Sequence, residues 1–160
     1  MQEIQINRLQ HLLNTSRVMT LAVSDMGDSW ASPVYFVYLH SRFYFFSSPL
    51  SRHIRYAADH QVVGAAVFHD SDGMTNIFGL QMSGRIQRIP VKSSFRIIQA
   101  YIEKFDFLQT AFGSECRFDA DFFLTKFKSR LYGFSPETVL LSDNQAPESR
   151  QTPIDLSRIS

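Results

Sequence analysis

Between residues 17 and 46 three β-prone runs follow one another across turns of only four residues. The runs are RVMTLAVS at 17–24, WASPVYFVY at 30–38 and FYFF at 43–46; the turns are AspMetGlyAsp at 25–28 and LeuHisSerArg at 39–42. A parallel pair needs a crossover of about a dozen residues or more. Turns this short admit only antiparallel hairpins. The pattern continues with VVGAAVF at 62–68, a polar loop at 69–73, IFGLQMSGRIQRI at 77–89, and β-like alternation over 120–134 ending in LeuTyrGlyPhe. Pro33 has no N–H, which assigns its strand to an edge or a bulge. Gly79 and Gly84 inside a strand pattern mark bulges or a close backbone approach.

Helical periodicity is confined to a few places. Ile4, Ile6, Leu9, Leu12 and Leu13 define an amphipathic helix over 3–14. Ser48 can cap a helix that starts at Pro49 and runs through Ala57, Ala58 and His60. Phe95, Ile98, Tyr101, Ile102 and Phe105 mark another, capped by Ser93 or Ser94. Hairpin-rich strands with few helices predict a mainly β chain, a small closed or partly open barrel. We read a single domain over 1–142 and a polar tail over 143–160, poorly ordered unless it docks.

Composition removes several function classes. The net charge is +1 with no basic block, so nucleic acid is not an expected partner. No apolar run approaches the roughly 20 residues that span a bilayer. The N-terminus has no apolar segment of the signal-peptide kind, and the lone Cys116 forms no internal disulfide, so a cytoplasmic protein is expected. The chain carries 15 Phe, more aromatic surface than one small barrel readily hides. Some rings are therefore expected at a pocket or a subunit interface.

The chemistry concentrates in FYFFSSPLSRH at 43–53. A strand delivers Ser47 and Ser48 to a turn, and the turn opens a helix carrying Ser51, Arg52 and His53. Free N–H groups, hydroxyls and a guanidinium at a helix start suit a phosphate. The same residues equally make an ordinary helix start, with Ser48 capping, Ser51 completing the first turn and Arg52 in water.

In order and spacing, this segment with VMTLAV before it and Gly84 in QMSGRIQRI after it resembles the FMN-binding split-barrel family that includes pyridoxamine-phosphate oxidase. The likeness covers residues 15–90 and is nearest to small uncharacterised bacterial members. It implies a six-stranded antiparallel split β-barrel with flanking helices, FMN as cofactor, and a homodimer with flavin between the subunits. It also implies site residues. Ser51 and Arg52 match the phosphate-binding pair, and His53 stands where Lys is usual. Ser47 and Ser48 match the hydroxyl residues ending the third strand. Ser32, Val34 and Tyr35 match the strand along the ribityl chain and ring. Gln81 lies in the strand that a partner subunit brings to the ring.

The function implied is a flavoprotein oxidoreductase acting on a small molecule; no catalytic residue is assigned. The alternative is a non-enzymatic flavin- or haem-binding module of the same fold. His69, Asp70 and Asp72 read as a polar loop rather than a metal site, because no further ligand has zinc-like spacing. Cys116 lacks an activating base. Trp30 begins a strand, where it fits a flavin contact or the barrel rim.

Overall fold

The computed structural model describes residues 3–58, 61–146 and 151–159. Helix α1 (Glu3–Thr15) is followed by β1 (Val18–Asp25), β2 (Asp28–Tyr35), β3 (Val37–Leu39), β4 (Arg42–Ser47) and a short α2 (Arg52–Tyr56). Next come β5 (Val63–Phe68), β6 (Phe78–Arg88), α3 (Phe95–Lys104), α4 (Phe107–Phe112), α5 (Ala120–Phe127), β7 (Arg130–Asp143) and β8 (Thr152–Pro153). The strands form one antiparallel sheet in the order β2-β1-β5-β6-β7-β4-β3, with β8 added to β7. The expected architecture holds. Six of these strands are long, and β3 and β8 are short additions.

The ends of that order are consecutive in the chain. The sequence reads 30–38 as one strand, but the backbone leaves β2 at Tyr35 and enters β3 at Val37. Phe36 is the hinge. Its N–H donates to the Arg17 carbonyl (3.1 Å), and its fully buried ring packs against Phe43 at 5.5 Å. The sheet thus curls into a barrel, with both edges joined through one residue. Pro33 lies in edge strand β2, where a missing N–H leaves no ladder bond broken on the open side.

Alternate residues of each strand fill the interior: Met19, Leu21 and Val23 from β1, Val63, Ala65 and Val67 from β5. Leu9, Leu12 and Leu13 of α1 complete this core. Helix α1 is anchored by polar contacts as well. Arg8 donates to the buried Asp143 carboxylate (2.8 Å) and lies over the Phe78 ring at 4.1 Å. Lys104 donates to the Leu13 carbonyl (3.0 Å), one of the acceptors a helix end leaves free. A second core lies outside the barrel, where α3–α5 cover β3 and β4. There Phe46 stacks on Phe123 at 3.7 Å.

The alternation over 120–134 proves to be two elements. Residues Ala120–Phe127 are helical because the Asp119 side chain accepts from the Phe122 N–H, and Lys128 closes the helix in the left-handed region (φ 53°). Only from Arg130 onward is the segment strand. The tail docks where it is described. Thr152–Pro153 pairs with β7, and Leu156 and Ile159 are buried in the barrel core. Residues 147–150 and 160 of that tail, and His60 at the expected helix end, lie outside the described residues.

The two strand glycines act by close approach. The β6–β7 register shifts between Ser83 and Gly84. A Cβ at Gly84 would run into the Ser135 carbonyl oxygen and sit 2.8 Å from Pro136 Cα. One at Gly79 would sit 2.7 Å from Phe68 Cβ. Gly84→Ala must push β6 from β7 along the longest ladder in the sheet. We expect it to destabilise the protein by about 2–3 kcal/mol in chemical denaturation. A change within about 0.5 kcal/mol, the range of an unremarkable surface substitution, would contradict the close approach.

Candidate functional site

Strand β4 carries Ser47 to the barrel mouth, and the chain then turns sharply. The Leu50 N–H donates to Ser48 Oγ (3.2 Å), and the Ser51 N–H donates to the Ser48 carbonyl (3.1 Å). This local turn delays the helix. Ser51 is the residue before α2, rather than Ser48, and α2 spans Arg52–Tyr56 only. Its five residues offer little dipole, so side chains must supply what an anion would bind here.

Three of those side chains interlock. Ser47 Oγ lies 2.7 Å from His53 Nε2 and 3.1 Å from Ser51 Oγ, and Ser51 Oγ lies 3.3 Å from the same nitrogen. Ser51 Oγ also donates to the Ser48 carbonyl (2.8 Å). A hydroxyl has one proton. With the Ser51 proton on that carbonyl, the Ser47–Ser51 bond requires Ser47 as donor. His53 Nε2–H then donates to Ser47. Ser47 and His53 are both buried. Burial lowers the His53 pKa below its ordinary 6.5, so the imidazole is neutral at pH 7. His53 therefore orients hydroxyls in this state and carries no charge.

Arg52 makes its contacts with the β1–β2 hairpin. Its guanidinium lies 4.4 Å from the Trp30 ring centre and 3.6 Å from the Asp28 carboxylate. The Tyr56 hydroxyl donates to the same carboxylate (2.7 Å), and Trp30 Nε1 donates to Ser32 Oγ (2.9 Å). A continuous chain of contacts thus joins Ser32, Trp30, Arg52, Asp28 and Tyr56. Asp28 was legible only as a turn residue; its place opposite Arg52 arises from the β1–β2 hairpin folding against α2.

Of the candidates on β2 and β6, only Ser32 joins this chain, through Trp30. Ser32 and Val34 are both buried, and Val34 belongs to the core. Tyr35 is on the opposite face, 5.3 Å from Phe105 and 5.6 Å from Phe107, with the Arg17 guanidinium 6.0 Å from its ring. Gln81 is also outside, where it donates to Ser142 Oγ (3.2 Å). That outer face carries the exposed Arg85–Glu137 ion pair farther along β6, but the part of it around Gln81 is uncharged. Cross-strand neighbours Pro33, Thr20, Ala66 and Gln81 run across it in one row, and all are exposed. Phe68, 62% exposed, stands at its border.

A groove of about 700 Å³ opens elsewhere, between the end of α1 and the β3–β4 turn, lined in part by Gln10, Asn14, Tyr38 and His40. None of the candidate residues lines it. Among the described residues no cluster of three or more His, Cys, Asp or Glu could hold a metal. No described helix is long and apolar enough to cross a membrane.

No family model and no curated protein matches the sequence. Solved structures do share the fold. An FAD-binding protein from Mesorhizobium loti is 18% identical, with 87% of this chain and 92% of that one covered and a TM-score of 0.61. The haem storage protein HutZ from Vibrio cholerae is 16% identical over 87% of this chain and 93% of its own, TM-score 0.62. A Listeria innocua protein provisionally called a pyridoxamine 5'-phosphate oxidase is 12% identical over 87% and 98%, TM-score 0.61. At these identities the likeness establishes the fold, the split barrel of pyridoxamine 5'-phosphate oxidase-like proteins.

The lowered His53 pKa has a consequence for acid stability. Below pH about 6.5 the unfolded chain takes up a proton before the folded one does. The contribution of neutral His53 is complete above that pH and is lost as pH falls from the unfolded value through the lower folded one. An NMR titration of the His53 ring should give a midpoint below 6.5. A midpoint above 6.5 would contradict the neutral, buried assignment.

Proposed function

From a pyridoxamine 5'-phosphate oxidase-like split barrel with a buried hydroxyl cluster next to Arg52, we propose that this protein binds FMN and serves as an oxidoreductase for a small molecule. The supporting observation is the Ser47–Ser51–His53 network at the start of α2 with Arg52 next in sequence. A buried polar cluster of this kind is costly unless each group is paired. Here a phosphate oxygen would replace the Ser48 carbonyl as acceptor for Ser51, and Ser47 could turn its proton the same way. Arg52 would add a charge-assisted bond. Ser48 would keep the turn that presents Ser51.

The flavin, when bound, supplies the redox chemistry. The chain's part is to fix the phosphate, lay the ribityl chain along the β2 backbone and close the ring off from water. The uncharged, exposed row of Pro33, Thr20, Ala66 and Gln81 supports a homodimer, because such a row can meet a second copy without stranding charge. Gln81 in that row would then reach the partner's flavin.

The likeness to a haem storage protein supports a second reading, a non-enzymatic holder of flavin or haem. The absorbance of the purified protein separates flavin from haem by its bands.

The phosphate is tested by titrating FMN and riboflavin into the apoprotein. Arg52→Ala removes a charge-assisted bond worth about 1.5–3 kcal/mol, so FMN should bind about ten- to a hundredfold more weakly. Riboflavin, without a phosphate, should bind the wild type poorly and be indifferent to the change. Equal binding of the two flavins by the wild type would contradict the reading.

A further inference from the structure

Arg52 already has an occupant for its charge. Asp28 lies 3.6 Å from it, and Trp30 carries the guanidinium on its ring at 4.4 Å. Asp28 is itself steadied by the Tyr56 hydroxyl at 2.7 Å, and Trp30 by its bond to Ser32 at 2.9 Å. The two ends of this arrangement come from different elements, the β1–β2 hairpin and α2. It joins them through Arg52, whose neighbours Ser51 and His53 belong to the hydroxyl network.

We propose that Asp28 and Trp30 form a holding site for the Arg52 guanidinium, and that an incoming phosphate must displace Asp28 to engage it. Asp28 is then a specificity-determining residue: it discriminates against weak anions, because only a ligand that outcompetes a carboxylate takes Arg52. Trp30 is a positioning residue, which keeps the guanidinium beside the site in both states. This inference rests on the FMN-phosphate reading and adds to it a competitor and a platform.

The competition is modest by construction. Asp28 and Arg52 are both about half exposed, at 55% and 42%, and such pairs are weak and screened by salt. Removing the carboxylate charge should therefore help anion binding by a small factor.

The chain has one tryptophan, so its fluorescence reports on Trp30 alone. The experiment follows Trp30 emission while inorganic phosphate, and separately FMN and riboflavin, are titrated into wild type, Asp28→Asn and Tyr56→Phe. Asp28→Asn should bind FMN and inorganic phosphate about two- to fivefold more tightly, with riboflavin unchanged. Tyr56→Phe, which frees the carboxylate without removing it, should shift FMN in the same direction by less, and it carries the test if Asp28→Asn does not fold. Phosphate alone should change wild-type Trp30 emission. Unchanged or weaker FMN binding in the folded variants, while the wild type still prefers FMN to riboflavin, overturns the holding site and leaves the FMN reading standing. No preference for FMN in the wild type overturns the reading itself, and this inference with it.

Discussion

The barrel closes at Phe36, where edge strand β2 passes within one residue into β3 at the opposite edge of the sheet. Its N–H is held by the Arg17 carbonyl and its ring is fully buried, with the Lys104 ammonium 4.2 Å from the ring centre. Because β3 pairs with β4, this closure sets where β4 runs and where Ser47 emerges. It also brings β2 close to the segment after β4, so that Trp30 and Asp28 stand against α2. The candidate site is a product of that closure: one half comes from the strand before the hinge and the other from the strand after it.

The site combines two kinds of polar group with different physical standing. Ser47 and His53 are buried, so their hydrogen bonds must be nearly complete whether or not a ligand is present, and the network of hydroxyls provides that. Arg52, Asp28 and Trp30 are half exposed, and their contacts can exchange at small cost. A fixed hydroxyl floor beside an adjustable cation suits a ligand whose charge is concentrated at one end.

The hairpins, the edge position of Pro33 and the close approach at Gly84 were legible because turn length, a missing N–H and a missing Cβ act locally. The break at Phe36 was not, since WASPVYFVY is β-prone throughout and only tertiary closure divides it. The segment 120–127 carries both periodicities in its phenylalanines; the Asp119 cap and the left-handed Lys128 decide for helix. The short α2 follows from Ser48 spending its side chain on a turn. For the site, the sequence placed Ser47, Ser48, Ser51, Arg52 and His53 together but could not assign their states. Burial that keeps His53 neutral, and a hairpin residue that pairs with Arg52, are consequences of folding. Val34 shows the same limit: a strand residue named for a ligand turns its side chain into the core.

The most direct test is a crystal structure of the protein saturated with FMN. The phosphate should lie within hydrogen-bonding distance of Ser47, Ser51 and Arg52, with Arg52 released from Asp28 and Gln81 of a second copy against the ring. Flavin bound with its phosphate away from these residues, or no flavin at this position at saturating FMN, would contradict that placement.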